Sequence, residues 1–211
     1  MAADGALGGL LVDWGGVLTT DIFSSFETFC RREGIDPPLV RDMFRGDPEA
    51  RHTLFALETG DLTEPEFESR FASILGLRED RGPGLIDRLF GGMKEDIAMF
   101  DAVRCAKAAG VRTGLLSNSW GVDRYDRSHF PQLFDTVVIS GEEGVRKPDR
   151  AIYELAIRRM ALPASEIVFV DDLPGNLKPA RELGMQTVHH TSGGATVTQL
   201  EKLLGIRLRG A

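Results

Sequence analysis

Five short apolar runs, alternating with segments of helical periodicity, constrain the fold of this chain more than any other feature. The runs occupy residues 8–13, 111–116, 136–139, 167–170 and 185–188. Helical patterns alternate with the later runs, at residues 97–109, 151–160, 177–183 and 197–204. Short continuous apolar runs are typical of strands buried on both faces of a sheet. The alternation therefore predicts parallel strands joined by right-handed crossovers.

Residues 21–93 interrupt this alternation with a purely helical pattern. Phenylalanines recur at spacing three, at Phe23, Phe26 and Phe29, and apolar clusters follow at residues 39–44 and 67–75. A stripe of this kind is typical of the inner seam of a helix bundle. We therefore predict an α/β fold with a Rossmann-like, doubly wound parallel sheet. Its core comprises residues 1–20 and 94–211, and residues 21–93 form an inserted, small, all-helical cap.

Composition excludes several functional classes. The chain has 211 residues and a formal net charge of −7, which disfavours a nucleic-acid partner because the phosphate backbone is also negative. No apolar run approaches the roughly 18 to 20 residues of a membrane span, so we expect no membrane partner. The first run is also too short for a signal peptide. The only two cysteines, Cys30 and Cys105, are too few for a disulfide scaffold. They predict buried thiols in a cytoplasmic protein.

Polar side chains follow four of the five predicted strands. These residues are Asp13 after the first run, Ser117 and Asn118 after the second, Lys147 in the loop after the third, and Asp171 and Asp172 after the fourth. Ligands of open α/β sheets bind beyond the carboxyl ends of the strands. Three carboxylates in one crevice repel each other unless a cation lies among them, and such an oxygen-rich site suits Mg²⁺. A lysine and a hydroxyl beside them suit phosphoryl oxygens.

These residues, in this order, resemble the four motifs of the haloacid dehalogenase superfamily. The stretches at residues 115–120 (Leu-Leu-Ser-Asn-Ser-Trp), 144–148 (Gly-Val-Arg-Lys-Pro) and 168–184 are similar to the amino-terminal phosphatase domain of soluble epoxide hydrolases. The resemblance covers essentially the whole chain. It implies a Mg²⁺-dependent phosphatase that acts on a small phosphorylated metabolite through an aspartyl-phosphate.

The resemblance also implies roles for single residues. Asp13 is expected to attack phosphorus, and Lys147 to balance the charge. The positions expected to bind the phosphoryl group are Ser117, the backbone of Asn118, Lys147 and Gly16. The positions expected to hold Mg²⁺ are Asp13, the backbone carbonyl of Gly15 and Asp172, with Asp171 beside them. From these roles we expect Lys147→Ala to weaken phosphate binding with little effect on the fold.

Gly15 departs from the family pattern, which carries an acid–base aspartate two residues after the nucleophile. Without that aspartate, no side chain at this position delivers a proton to the leaving alcohol, an effect of roughly 10²- to 10⁴-fold on the rate. Two readings therefore remain open, a phosphatase that is slow or restricted to good leaving groups, and a catalytically impaired binding or regulatory module. Hydrolytic dehalogenation is less favoured, because dehalogenases need no metal and the Asp171–Asp172 pair indicates one.

The sequence offers no clear replacement for the missing acid. The four histidines are His52, His129, His189 and His190, and none has a distinctive position. We interpret Thr19 and Thr20 as turn or substrate-contact residues, and Trp14 as either pocket lining or packing under the cap. Residues 45–52 are interpreted as a cap loop, with Arg45, Arg51 and His52 either near an anionic substrate or solvated. The cap also suggests a homodimer contact.

Overall fold

The computed structural model describes residues 7–209 and contains one five-stranded parallel sheet. Its strands are β1 (Gly9–Val12), β2 (Arg112–Ser117), β3 (Thr136–Ile139), β4 (Ile167–Asp171) and β5 (Gln186–His189). Their order across the sheet is β3-β2-β1-β4-β5. All five predicted strands are therefore confirmed. The strand order reverses at β1, whose two neighbours are β2 and β4, and ligand crevices of such sheets lie at this point.

The cap segment contains five α-helices. They are α1 (Ile22–Glu33), α2 (Leu39–Gly46), α3 (Pro48–Glu58), α4 (Glu64–Ile74) and α5 (Leu85–Phe90), with a short 3₁₀ helix at Glu79–Arg81. The interpretation of residues 45–52 as a loop is wrong, because Arg45 lies in the last turn of α2 and residues 48–52 open α3. Asp47 caps α3 by accepting a 2.8 Å hydrogen bond from the Ala50 N–H, and Pro48 occupies the first helical position.

Six further α-helices surround the sheet. They are α6 (Ile97–Ala108), α7 (Phe130–Leu133), α8 (Ser140–Glu143), α9 (Arg150–Met160), α10 (Pro174–Glu182) and α11 (Gly193–Leu204). Short 3₁₀ helices lie at Val122–Arg124, Arg127–His129 and Ala164–Glu166. The helices α10 and α11 begin earlier than the apolar period predicts. Pro174 starts the first of them and the Ser192 hydroxyl caps the second.

Three apolar clusters fill the structure, one on each face of the sheet and one inside the cap. Phe26 and Phe29 are buried in the cap cluster, together with Cys30, whereas Cys105 is half-buried in the core. Two antiparallel linkers join the cap to the core, where the Thr20 N–H donates to the Lys94 carbonyl at 2.7 Å. The division into core and cap at residues 20/21 and 93/94 stays a prediction. No helix in residues 7–209 has the length and apolar character of a membrane span.

Candidate active site

Most of the residues singled out from the sequence meet at one cavity between the cap and the carboxyl edge of the sheet. The cavity has a volume of about 490 Å³. Six of the eight residues expected to serve catalysis, phosphate binding or metal binding line it, namely Asp13, Gly15, Ser117, Asn118, Lys147 and Asp172. They converge because β1, β2 and β4 are neighbours, so their carboxyl ends lie side by side. Asp171 and Gly16 are not among the lining residues, but Asp171 contacts Lys147 at 2.8 Å and Gly16 lies next to Asp172.

Lys147 connects Asp13 to the fourth strand. Its side chain is fully buried, and Nζ lies 2.9 Å from Asp13 Oδ1 and 2.8 Å from Asp171 Oδ2. Burial alone would lower the pKa of this ammonium, but the carboxylates of Asp13 and Asp171 outweigh it and raise the pKa. Lys147 therefore carries a permanent positive charge in the floor of the cavity.

Asp13 is held by two donors at one oxygen. The Trp14 N–H donates to Oδ1 at 2.7 Å, and the Lys147 ammonium approaches the same oxygen. Burial raises the pKa of Asp13 to about 8, with the charges of Asp171 and Asp172 adding to the effect and Lys147 opposing it. One lysine thus does not neutralise the three carboxylates of the site.

The oxygen donors of the site fit a hard cation. Asp13, Asp171 and Asp172 each offer one oxygen, and these oxygens lie within 4.8 Å of one another. Asp171 is already engaged, since it accepts hydrogen bonds from the Leu173 N–H at 2.8 Å and from Asn176 Nδ2 at 3.1 Å. No described residue other than Asp172 itself donates a hydrogen bond to the Asp172 carboxylate, and none donates to the Gly15 carbonyl. Burial, followed by the charge of Asp171, raises the pKa of Asp172 to about 6. These carboxylates and the free carbonyl match the ligands that Mg²⁺ prefers.

Different structural constraints act on Gly15 and Gly16, the two glycines that follow Trp14. Gly16 has φ = +76°, and a Cβ there would lie 2.5 Å from Asp172 Oδ2, so only glycine fits. Its N–H donates to Thr19 Oγ1 at 3.2 Å, which makes Thr19 a turn residue. Gly15 lines the cavity, and a Cβ there would meet Ile22 Cδ1 at 2.5 Å. The phosphate-binding role of Gly16 remains a prediction.

Ser117 and Asn118 line another part of the cavity wall. Ser117 Oγ is hydrogen-bonded to the Tyr125 hydroxyl at 2.9 Å. The side chain of Asn118 exchanges two hydrogen bonds with the Lys147 backbone, donating at 3.0 Å and accepting at 2.8 Å. These bonds fix the loop that carries Lys147. Because they engage the side chain of Asn118, the predicted contact with the phosphoryl group is left to the Asn118 backbone. Tyr125 was not found from the sequence, because nothing but tertiary packing brings it to Ser117.

Glu58 and Arg146 form a buried ion pair between cap and core. Glu58 ends α3, its carboxylate accepts a hydrogen bond from Arg146 Nε, and its backbone carbonyl accepts one from Ser140 Oγ. Burial raises the pKa of Glu58 to about 7 despite the opposing Arg146 guanidinium. Arg146 also lies 3.7 Å from the ring centroid of Phe55. Arg146 could have been found from the sequence, because it directly precedes Lys147, whereas no sequence feature marks Glu58.

Aromatic side chains cover much of the remaining wall. Trp120 lies with its ring centroid 4.9 Å from Phe90 and 5.5 Å from Phe26. Trp14 lines the cavity, as one of its two interpretations predicts, and its ring packs at 5.5 Å against Tyr125, a residue of the core. Among the described residues, no histidine lines the cavity. The lining includes Arg45 but not Arg51 or His52, which are exposed.

Comparisons with known proteins agree with this geometry. The family model of the haloacid dehalogenase-like hydrolases matches residues 8–184. The chain is 32% identical over 131 residues to the bifunctional epoxide hydrolase 2 of Sus scrofa, which is 59% of this chain and 24% of that protein. It thus spans about a quarter of that relative's length. It is 29% identical over 151 residues to the sesquiterpene phosphatase astK of Aspergillus oryzae, covering 70% of this chain and 77% of the relative.

Solved structures share the fold. A haloacid dehalogenase family enzyme of Bacteroides thetaiotaomicron, in complex with magnesium and inorganic phosphate, superposes with a TM-score of 0.66 at 19% identity. The match covers 89% of this chain and 96% of the other.

Proposed function

The chain belongs to the haloacid dehalogenase-like hydrolase family, and from this membership we propose that it is a Mg²⁺-dependent phosphatase of small-molecule phosphomonoesters. The observation that carries the proposal is the position of Asp13, which directly follows the central strand and lies 2.9 Å from the buried ammonium of Lys147. Phosphatases among its relatives support the same reaction class.

Asp13 is the nucleophile in this proposal. A carboxylate oxygen attacks phosphorus, the bond from phosphorus to the ester oxygen breaks, and the alcohol leaves with a proton from water. Water then attacks the phosphorus of the aspartyl-phosphate, which releases phosphate and restores Asp13. Lys147 balances the charge on the transferred group, and Ser117 binds one of its oxygens.

The proposed metal ligands are Asp13, Asp172 and the carbonyl of Gly15. The bound Mg²⁺ supplies positive charge against the phosphoryl oxygens. Asp171 acts beside them by orienting Lys147, to which it is bonded at 2.8 Å.

A second candidate is a binding or regulatory module with little turnover, and Gly15 is the observation that favours it. Glycine has no side chain to protonate a leaving alcohol, so alkyl esters would react slowly. The two candidates share a metal site and differ in turnover.

Release of inorganic phosphate from a panel of alkyl and aryl phosphates, with and without Mg²⁺, tests the proposal. We expect Mg²⁺-dependent release that is fastest for aryl esters. Mg²⁺-dependent stabilisation of the fold without phosphate release would favour the binding module. Halide release from haloacids without metal would instead identify a dehalogenase.

A further inference from the structure

Tyr125 brings a second hydroxyl to the serine that is expected to bind the phosphoryl group. It directly follows the 3₁₀ helix Val122–Arg124 and lines the cavity together with Ser117. Its hydroxyl lies 2.9 Å from Ser117 Oγ, which is its only hydrogen-bond partner within residues 7–209. Ser117 ends β2 and is 2% exposed, so its hydroxyl has little access to bulk water. The environment of the Ser117 hydroxyl is therefore set largely by Tyr125.

The ring of Tyr125 is held in place by packing within the core. Its centroid lies 5.5 Å from that of Trp14 and 6.2 Å from that of Phe130, at interplanar angles of 72° and 68°. Such edge-to-face pairs favour a particular ring orientation and also bury apolar surface. The Trp14 N–H donates to Asp13 Oδ1 at 2.7 Å. Trp14 thus contacts the proposed nucleophile through its backbone and Tyr125 through its ring.

The acidity of the two hydroxyls sets the direction of their hydrogen bond. A phenol is more acidic than an aliphatic alcohol, so the phenol is the better donor and the poorer acceptor. Burial raises the pKa of Tyr125 above its ordinary value, so the phenol keeps its proton at neutral pH. Tyr125 therefore donates to Ser117 Oγ, and the Ser117 proton is left for another acceptor.

The acceptor that the described structure gives to the Ser117 proton is weak. The Asn118 carbonyl lies 3.4 Å from Ser117 Oγ, whereas hydroxyl donors are typically about 2.7 to 2.8 Å from their acceptor. A phosphoryl oxygen is a stronger acceptor because it is charged. A hydroxyl that accepts one hydrogen bond also becomes a better donor in the next, since the two bonds polarise each other. The Ser117 proton is therefore available to an anion in the cavity.

We propose that Tyr125 is a positioning residue that orients the Ser117 hydroxyl so that its proton points to the phosphoryl group. The inference rests on the proposed function, which gives Ser117 its role. Without the phenol, the Ser117 hydroxyl is free to rotate, and in part of its rotation an oxygen lone pair faces the anion. Tyr125 acts through Ser117 and takes no part in breaking the ester bond.

Binding of orthovanadate to the whole protein with Mg²⁺ tests this proposal without turnover. Vanadate mimics the phosphoryl group during transfer, and titration calorimetry measures its affinity. We expect Tyr125→Phe to weaken binding roughly three- to tenfold, the effect of one neutral hydrogen bond. Ser117→Ala should weaken it roughly tenfold or more, because the lost bond is made to an anion. Tyr125→Phe retains the ring that packs against Trp14, so we expect the fold to be retained.

The Ser117→Ala/Tyr125→Phe double variant separates a positioning role from a structural one. If Tyr125 acts through Ser117, Tyr125→Phe should have no further effect in the Ser117→Ala background. Tyr153→Phe is the matched control, because Tyr153 is the other tyrosine of the chain and its buried hydroxyl donates to the Asn176 carbonyl at 2.7 Å. The effect of Tyr153→Phe on vanadate affinity should be the same in wild type and in Ser117→Ala.

Two results would overturn the proposal: an unchanged vanadate affinity in Tyr125→Phe, or equal losses from Tyr125→Phe in wild type and in Ser117→Ala. Equal losses would mean that Tyr125 supports the fold or contacts the anion itself. If the expected coupling appears but wild type hydrolyses no phosphate ester, the orienting role stands and the proposed hydrolysis fails. If vanadate does not bind wild type in the presence of Mg²⁺, both fail.

Discussion

Gly15 is the residue at which this chain departs most from its family pattern, and Ile22 occupies the space that a side chain there would need. A Cβ at Gly15 would lie 2.5 Å from Ile22 Cδ1, the flexible end of that side chain. Positive φ is found at Gly16 and not at Gly15. Backbone strain therefore does not prevent a larger residue at position 15, and the obstacle is removable.

We predict that Gly15→Asp combined with Ile22→Ala raises turnover on alkyl phosphates by roughly tenfold or more, and on aryl phosphates much less. The new carboxyl would protonate alkyl leaving groups, whereas aryl groups depart unaided. Steady-state kinetics with both ester classes measure the difference, with Ile22→Ala alone as the control. A folded, Mg²⁺-binding double variant with no gain on alkyl esters would show that the missing proton donor does not limit the rate.

The buried position of Lys147 changes the expectation, drawn from the sequence, that Lys147→Ala has little effect on the fold. A surface lysine would be replaceable without cost, but Lys147 is fully buried between Asp13 and Asp171. Removing one partner of a buried ion pair leaves uncompensated charge, which costs roughly 3 to 5 kcal/mol. We therefore predict that Lys147→Ala lowers the free energy of unfolding in urea by about this amount without Mg²⁺, and that Mg²⁺ recovers part of it. Wild-type stability in the metal-free variant would contradict the buried position.

At the scale of elements, the sequence predicts the parts that repeat a simple pattern. The five strands follow from short apolar runs, and Asp13 and Asp171 follow from their place at strand ends. Helix α3 was missed because the Asp47 cap and Pro48 define its start, rather than a clear apolar period, and α5 was missed because its 6 residues are too few to show a period. Glu58 and Tyr125 could not be found, since only the packing of the cap on the core brings them to the cavity.

The Glu58–Arg146 pair joins α3 to the core and gives stability a pH dependence. Burial raises the pKa of Glu58 from 4.5 to about 7, so the folded state binds a proton more tightly than the unfolded state. Stability from this group is therefore present at low pH and is lost as pH rises from about 4.5 to about 7.

We predict that the free energy of unfolding of Glu58→Gln rises relative to wild type between these pH values, by on the order of 2 kcal/mol. Urea denaturation across this range measures the difference. Glu64→Gln is the control, because it removes another cap carboxylate that pairs with a core arginine, Arg124. A constant difference between wild type and Glu58→Gln would mean that Arg146 keeps Glu58 ionised throughout.

At the scale of the whole molecule, charge at the carboxyl edge of the sheet links metal binding to stability. Three carboxylates face one ammonium in the floor of the cavity, and they repel each other in the metal-free protein. A cation that binds only the folded state stabilises it in proportion to its occupancy. The fold should therefore be more stable with Mg²⁺ than without it.

We predict that Asp172→Ala raises the melting temperature of the metal-free protein and removes the increase caused by Mg²⁺. The substitution relieves repulsion and deletes a ligand whose pKa is raised to about 6 by burial and by Asp171. Thermal unfolding with EDTA and with Mg²⁺ measures both effects. A variant that Mg²⁺ still stabilises as much as wild type would place the metal elsewhere.

The covalent state of Asp13 during turnover tests the central claim most directly. The protein is mixed with an aryl phosphate and Mg²⁺, quenched in acid and digested, and the peptide that contains Asp13 is examined by mass spectrometry. We predict a phosphoryl group on Asp13 in wild type and none in Asp13→Asn, which should also release no phosphate while keeping its fold. Phosphate release by Asp13→Asn, or turnover in wild type without any phosphorylated Asp13 peptide, would contradict the account.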